Sequence, residues 1–169
     1  TQTFLGDAQI HRQGFREAND VDLYLENPES IYQRIQNQPE VTHFAPRVLM
    51  GSMISSSENM VSGVVYGIEP EKESHIGKLK QAMIKGNYLS DNRQEILLGK
   101  EMLDLLDVDL GDRIVVTVSQ ANGGELSQAL FRVSGVFSFS DRMMDSSMAF
   151  VNLAEGQSLL NINGVHEIA

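Results

Sequence analysis

The chain has 169 residues, of which 41% are hydrophobic and 21% are charged, an ordinary composition for a folded domain. This length suffices for one domain or for two small subdomains with a shared core. The formal net charge of −10 argues against a nucleic-acid-binding surface, because such surfaces need clustered lysine and arginine. The chain has no cysteine, which excludes disulfides, cysteine-ligated metal centres and thiol catalysis.

The two ends of the chain bear on its location. No apolar run approaches the roughly 20 residues that a membrane-spanning helix needs. Residues 1–14 have neither the basic start nor the apolar centre of a signal peptide, and there is no initiator methionine. Residues 165–169 alternate like the opening of a strand and then stop. We therefore expect either a cytosolic protein or a soluble piece of a longer chain, and the two ends favour the second.

The N-terminal part of the chain predicts two short strands and a helix. Weak alternation of apolar residues at 8–12 and clearer alternation at 21–25 indicate the strands. Asn27 and Pro28 predict a helix with Asn27 as its N-cap and Pro28 as its first residue, and this helix runs to about residue 38.

Two long strands follow, predicted at residues 41–55 and 60–68 and joined by a polar turn. Gly63 and Gly67 in the second strand indicate bulges or the close approach of another backbone. The charged residues 69–73 predict a solvated turn and the start of a helix.

The most regular pattern in the sequence lies at residues 95–118. The apolar run at residues 96–98 and the following Gly99 predict a buried strand and a turn. Residues 100–106 have the spacing of an amphipathic helix, and the β-branched residues 114–118 predict the next strand. This unit contains no nucleophile and no histidine, so we interpret it as a packing scaffold.

The rest of the chain predicts a mixture of hairpins and short helices. The Asn122-Gly123-Gly124 turn predicts a hairpin between residues 113–120 and residues 125–137, with a bulge in the second strand. The remaining predictions are a short helix at residues 76–84, a turn at residues 85–89, an irregular polar loop at residues 138–147, a strand at residues 148–152 and a helix at residues 153–161. Together these elements predict an α+β fold.

The sequence offers little evidence for a metal site. The four histidines are His11, His43, His75 and His166. Because they lie far apart in the sequence, only the fold could assemble them into a zinc or copper site, and we expect ordinary histidines. The eight methionines invite a Cu(I) interpretation. However, Met50, Met53 and Met60 do not share one face of a strand, so core filling or an adaptable surface contact is the favoured interpretation.

The loop at residues 138–147 is the candidate contact site. Phe139, Met143 and Met144 stand between charged residues there, which is the composition of a tip that contacts a partner protein. A merely mobile loop is the alternative. The same loop contains several serines, and a hydrolase would need one of them to meet His11 or His43. No Gly-x-Ser-x-Gly motif supports that hydrolase alternative.

Six pieces of the sequence, in the same order, resemble the periplasmic core domain of MacB-like permeases, which belong to the FtsX superfamily of ABC transporters. The pieces are LGDAQIHRQGF from Leu5, APR from Ala45, VYGIEPEKE from Val65, KGNYL from Lys85, ILLGKEMLDLLDVDLGDRI from Ile96, and FRVSGVF from Phe131 with FVNL from Phe150. The resemblance spans nearly the whole chain. The first piece, which contains QIH and GF, makes the LolC/LolE-like lipoprotein-releasing branch the most similar one.

The resemblance implies an extracytoplasmic domain of an ABC transporter permease, facing the periplasm from a bacterial inner membrane. It implies no catalytic residue, cofactor or metal in this domain, which would transmit conformational change across the membrane. The implied partners are a cytoplasmic ATPase subunit reached through membrane helices, a second permease subunit, and a periplasmic protein or lipoprotein. Tyr66, Glu69 and Pro70 match family positions and are expected to support the fold.

The resemblance also implies two subdomains. Residues 1–56 would form the first half of a porter-like subdomain, and residues 57–164 an inserted, hairpin-rich α/β subdomain. Residues 165–169 would begin the second porter-like half, which is truncated here. The alternative to a permease domain is a free-standing periplasmic binding or adaptor domain with the same fold.

Overall fold

The structure is a computed structural model that describes residue 4, residues 6–92 and residues 94–169. These residues form a mixed sheet of nine strands with short helices packed against it, which confirms the predicted α+β class. The strands are β1 (Ile10–His11), β2 (Pro46–Ser55), β3 (Met60–Ile68), β4 (Met83–Gly86), β5 (Glu95–Gly99), β6 (Arg113–Ser119), β7 (Leu126–Phe137), β8 (Met148–Asn152) and β9 (Glu167–Ile168). The helices are α1 (Phe15–Ala18), α2 (Glu29–Gln36), α3 (Pro70–Ile76), α4 (Lys100–Leu106), α5 (Arg142–Ser147) and α6 (Leu153–Leu160).

Six of the strands pair in a closed circuit. From β2 the sheet passes to β3 antiparallel, to β8 parallel, to β5 antiparallel, to β7 parallel and to β6 antiparallel. The β6 strand then returns to β2, where Met53 pairs with Thr117 and Ser55 with Val115. Outside the circuit, β9 joins β2 to β1, and β4 borders the end of β7. The closed pairing leaves the circuit with an inner and an outer face.

Alternation along the strands gives each face its own hydrophobic core. The inner core takes residues from all six circuit strands and from α4 and α6, including Val48, Val65, Leu98, Phe131 and Val151. The outer core takes the alternate residues and adds segments that cover them from outside; its buried members are Phe4, Ile68, Leu79, Leu89, Leu97, Phe137, Met148 and Phe150. Both faces of the same strands are therefore buried over part of the circuit.

The predictions made from local pattern are mostly confirmed. The strand, helix and strand of residues 95–118 are β5, α4 and β6, and the hairpin around Gly123 joins β6 to β7. The expected bulge lies in β7, because Ile96 pairs with Val133 while Leu97 pairs with Gly135. A close approach explains Gly67, since an added Cβ there would collide with Val48 and lie 3.4 Å from the Gly156 backbone.

Several predictions are wrong. Residues 21–25 form no strand beyond one bridge between Leu25 and Val165, and residues 41–45 precede β2 as irregular chain. Residues 76–84 do not form a helix, because α3 ends at Ile76 and β4 begins at Met83, inside the same range. The β4 strand also takes the first part of the turn that we predicted at residues 85–89.

Two further predictions about helices are wrong. The N-cap of α2 is Pro28, not Asn27, because Asn27 has a left-handed backbone with φ +50°. Residues 142–147 of the predicted irregular loop form α5, which begins after Asp141. None of the described helices is long and apolar enough to cross a membrane. The division into two subdomains at residues 56 and 164 stays a prediction.

Candidate functional site

The most unusual arrangement in the structure is a buried arginine near the start of β2. Arg47 is 0% exposed and lies between Pro46 and Val48. Its Nε donates to Oε1 of Glu73 at 2.5 Å, and its Nη2 donates to the other carboxylate oxygen at 3.0 Å. Its Nη1 donates to Oε1 of Glu167 at 2.7 Å. One guanidinium group therefore joins two buried carboxylates, one from α3 and one from β9.

The same guanidinium also binds Phe4. Arg47 Nη2 donates to the Phe4 backbone carbonyl at 2.7 Å, and the guanidinium carbon lies 3.8 Å from the centre of the Phe4 ring. Gln9 adds a hydrogen bond from its side-chain amide to Glu167 at 3.2 Å. We call Phe4, Arg47, Glu73 and Glu167 the Arg47 cluster. It joins the N-terminal segment, β2, α3 and β9 at one point.

Burial and pairing shift the pKa values of this cluster. Burial alone would lower the pKa of Arg47, but the hydrogen bonds and charges of Glu73 and Glu167 outweigh burial and raise it. Burial raises the pKa of Glu73, and Arg47 offsets part of that rise. Burial, and then the charge of Glu167, also raise the pKa of the Tyr66 hydroxyl nearby. The site thus pairs one positive charge with two carboxylates away from water. Removing the positive charge would strongly destabilise the folded state, because it would leave the carboxylates buried without a cation.

The expectation of a solvated segment at residues 69–73 is wrong for Glu73, which is 1% exposed. The sequence did contain a signal for its partner, because Arg47 is the single charged residue within the strand at residues 46–55. Arg47 ends the APR piece of the family resemblance, and Glu73 ends the VYGIEPEKE piece. The fold therefore brings these two separate pieces into direct contact.

A row of aromatic rings runs from the Arg47 cluster across the outer core. The Phe4 ring lies 5.1 Å from Tyr66 and 5.0 Å from Phe150, measured between ring centres. Phe150 lies 5.2 Å from Phe137, which in turn lies 5.0 Å from Phe139. Ring contacts of this geometry each contribute about 0.5–1.5 kcal/mol beyond burial. The row reaches one of the three residues that the sequence predicted to contact a partner.

These three residues lie at or beside α5. Met143 is 78% exposed on the helix, whereas Phe139 and Met144 are half-buried against the outer core. The helix begins after Asp141, whose carboxylate accepts a hydrogen bond from the Met144 amide at 3.1 Å. The fold thus presents Met143 to solvent and turns the other two inward. That the three residues contact a partner stays a prediction.

A buried carboxylate fixes the chain before α5. Asp145 is 4% exposed and accepts hydrogen bonds from the Ser138 hydroxyl at 2.7 Å and from the Phe139 amide at 2.8 Å. Its own backbone lies against Gly99, where an added Cβ would collide with the Asp145 carbonyl oxygen. The position of Phe139 is therefore set by contacts with α5 itself.

The hydrolase alternative gains no support from these contacts. The Ser138 hydroxyl donates to Asp145, and the hydroxyls of Ser146 and Ser147 donate to the Met143 carbonyl at 3.0 and 2.7 Å. His43 stacks on His75 with the ring centres 4.6 Å apart. These two rings line a cleft of about 360 Å³ between residues 6–10 and residues 40–44. Among residues 4, 6–92 and 94–169, no three histidine or acidic side chains are grouped so that they could hold a metal ion.

The sequence of this chain matches the MacB-like periplasmic core domain family over residues 5–168. The chain belongs to this family. Among relatives, the lipoprotein-releasing system transmembrane protein LolC of Xylella fastidiosa (strain Temecula1 / ATCC 700964) is 31% identical over 132 residues, covering 71% of this chain and 32% of LolC. The corresponding LolE of Haemophilus influenzae (strain ATCC 51907 / DSM 11121 / KW20 / Rd) is 23% identical over 161 residues, covering 89% of this chain and 37% of LolE. The chain thus spans about a third of the length of these curated relatives.

A solved structure agrees with this family assignment. The periplasmic region of MacB from Actinobacillus actinomycetemcomitans has a TM-score of 0.63 against this chain and 15% sequence identity, covering 95% of this chain and 71% of that one. At this identity the likeness shows the fold alone. The resemblance of the six sequence pieces to MacB-like periplasmic core domains is therefore confirmed. In this family member, the Arg47 cluster and α5 are the two candidate sites for function.

Proposed function

We propose that this chain is the extracytoplasmic domain of an ABC transporter permease, facing the periplasm from the inner membrane. In this proposal a cytoplasmic ATPase hydrolyses ATP, and the domain passes the resulting conformational change to a periplasmic protein or lipoprotein. The observation that carries the proposal is the family match over residues 5–168. The named relatives LolC and LolE are about three times as long as the matched segment and are described as transmembrane proteins, which leaves room for membrane helices outside it.

We place the partner contact at α5, with Met143 as the exposed residue and Phe139 and Met144 as its support. A flexible, polarisable side chain suits contact with partners of varied shape. The described residues offer no grouped metal ligands, and the hydroxyls of Ser138, Ser146 and Ser147 donate to groups other than histidine. A role in transmission and contact is the one that this geometry supports best.

Location and ATPase assembly can be tested on the native full-length protein in its own cells. Because this chain has no cysteine, Met143→Cys gives a single label site in it once any cysteines elsewhere are replaced. We expect a membrane-impermeant maleimide to label Met143→Cys in cells with a permeabilised outer membrane and an intact inner membrane. An ATP-binding subunit should copurify with the tagged protein from detergent extracts.

Two matched variants control this labelling. Leu126→Cys, at a position that is 77% exposed, should label equally well, whereas Ala149→Cys, at a position that is 0% exposed, should label only after denaturation. Labelling of Met143→Cys only after lysis of the inner membrane would overturn the periplasmic location. A protein that leaves the cells with the soluble periplasmic fraction, without an ATP-binding subunit, would instead support the free-standing binding or adaptor domain.

A further inference from the structure

The Arg47 cluster and α5 are connected by an unbroken series of ring contacts. Phe4 is the ring at one end and Phe139 is the ring at the other, with Phe150 and Phe137 between them. Phe4, Phe137 and Phe150 are at most 3% exposed, so none of these three can shift without moving a packed neighbour. The row therefore offers a mechanical connection between two places that are far apart in the sequence.

Both the backbone carbonyl and the ring of Phe4 are held at the Arg47 cluster. Its carbonyl accepts from Arg47, its ring lies under the guanidinium group, and its ring makes T-shaped contacts with Tyr66 and Phe150. If Phe4 left, Arg47 would lose two of its contacts, and the Phe150 ring would lose one of its three ring contacts. Docked and released Phe4 would be the two discrete arrangements that coupling between sites requires.

At the other end, Phe139 is held to α5 by a single buried carboxylate. The Phe139 amide donates to Asp145, and Asp145 lies on the same short helix as Met143. The Phe139 ring contacts the Phe137 ring, which contacts the Phe150 ring. A change in the packing of Phe150 thus reaches the exposed Met143 through two ring contacts and one hydrogen bond.

We propose that docking of Phe4 at the Arg47 cluster and ordering of the α5 tip around Met143 are energetically coupled through this row of rings. Release of Phe4 loosens α5, and its docking orders α5. The coupling itself is a property of this chain. Its use in a transport cycle, in which pulling on the N-terminal segment would change the contact surface at Met143, rests on the proposed function.

Amide hydrogen exchange in the 169-residue chain tests the coupling, with Phe4→Ala compared against Phe15→Ala. Phe15 is a matched control, because it is 2% exposed and stacks on His166 outside the aromatic row. We expect Phe4→Ala to speed exchange of the Phe139, Met144 and Asp145 amides about 2- to 30-fold more than Phe15→Ala does.

The amides of the β6–β7 turn provide the internal reference. The Gln120 and Gly124 amides are hydrogen-bonded within that turn, and they should respond equally to both variants. Equal acceleration of the α5 amides by Phe4→Ala and Phe15→Ala would overturn the proposal, and so would no acceleration by either. If the alanine variants fail to fold, Phe4→Leu and Phe15→Leu make the same comparison with a smaller perturbation.

A double-mutant cycle gives an independent test, because coupling is reciprocal. The variants Phe4→Ala and Phe139→Ala, alone and together, are compared by their unfolding equilibrium constants in urea. Each single substitution should raise the unfolding equilibrium constant by some factor. We expect the factor for the double variant to be about 2- to 30-fold smaller than the product of the two single factors. The pair Phe15→Ala and Phe139→Ala should be additive. Additivity of the first pair would overturn the coupling whatever the location of the native protein, so this failure is separate from failure of the proposed function.

Discussion

The outer face of the strand circuit has a covered region and an open region. Over β8, β5 and the C-terminal ends of β3 and β7 it is covered, and Leu97 and Phe150 are 0% exposed. Over β6, the C-terminal part of β2 and the start of β7 it is open, with Met53 41%, Leu130 50% and Leu126 77% exposed. In both regions, successive side chains along a strand point alternately to the inner and the outer face. The two regions therefore differ in exposure because of what packs on the outer face.

The segments that cover this region are held to the sheet by the Arg47 cluster. Phe4, α3 with Glu73, and the chain that follows α3 with Leu79 lie on the covered region. On the open region, outward-facing side chains of paired strands contact one another, as where the Gln128 side-chain amide donates to the Thr117 hydroxyl at 2.9 Å. A buried charge network therefore coincides with the region where a sheet face acquires a second core.

The largest expected effect comes from removing the charge that joins the covering segments. Arg47→Met leaves Glu73 and Glu167 buried without their cation, and should lower the free energy of unfolding by about 3–5 kcal/mol. Urea denaturation followed by far-ultraviolet circular dichroism measures this loss. The control Arg113→Met changes an exposed arginine at the start of β6, and should cost no more than about 0.5 kcal/mol. Similar losses for the two variants would contradict a special role for the Arg47 cluster.

A smaller loss is expected from breaking the aromatic row at its centre. Phe150→Leu keeps an apolar side chain but removes ring contacts with Phe4, Tyr66 and Phe137, which should cost about 2 kcal/mol. Phe44→Leu is the control, because Phe44 is half-buried and has one ring contact, with Tyr32 at 5.4 Å. If thermal unfolding shows that Phe44→Leu costs as much as Phe150→Leu, the row adds nothing to ordinary burial.

A pH effect is expected at His166, which is 0% exposed beside the inner core. Its Nδ1 accepts from the Leu49 amide at 2.9 Å, which leaves Nε2 to donate to the Val21 carbonyl at 3.0 Å. Burial lowers the pKa of this imidazole, against smaller opposing effects of the Val21 hydrogen bond and the charge of Asp20.

The unfolded chain therefore binds a proton near the ordinary histidine pKa of about 6.5, while the folded chain does not. The stability contributed by His166 is present above that pH and is lost as the pH falls below it. We expect melting temperatures between pH 7.5 and 5.5 to fall less steeply for His166→Gln than for the unchanged protein. Parallel curves would show that His166 does not titrate as its burial requires.

The smallest effect is expected on the open region. Leu126→Ser replaces a side chain that is 77% exposed, and should change the free energy of unfolding by no more than about 0.5 kcal/mol. A loss of more than about 1 kcal/mol in urea would mean that something covers this region in solution, and would remove the contrast between the two regions.

The elements that could be predicted from the sequence are those with local signals. The unit from β5 through α4 to β6 has an apolar run, a helical spacing and a β-branched run in succession, and all three elements are present. The alternation at residues 21–25 was misleading, because it places apolar side chains on the core from an irregular segment rather than from a strand. For α5 a signal was present and overlooked, since Asp141 caps the helix by accepting from the amide three residues later.

The candidate site depended on contacts that no local pattern contains. Arg47 and Glu73 lie 26 residues apart, and Arg47 and Glu167 lie 120 residues apart. The sequence identified Phe139, Met143 and Met144 as one candidate group, but it could not show that Met143 is exposed while the other two pack inward. That difference depends on the outer core, which is built from residues between Phe4 and Phe150.

The proposed contact between α5 and a partner can be examined by photo-crosslinking. A photoreactive amino acid placed at Met143 of the native full-length protein, in living cells, is compared with the same group at Leu126, since the two positions are 78% and 77% exposed. We expect a discrete crosslinked partner from position 143, and markedly less from position 126. Equal crosslinking from both positions would rule out a specific contact at α5, and a partner found only from position 126 would place the contact on the open region.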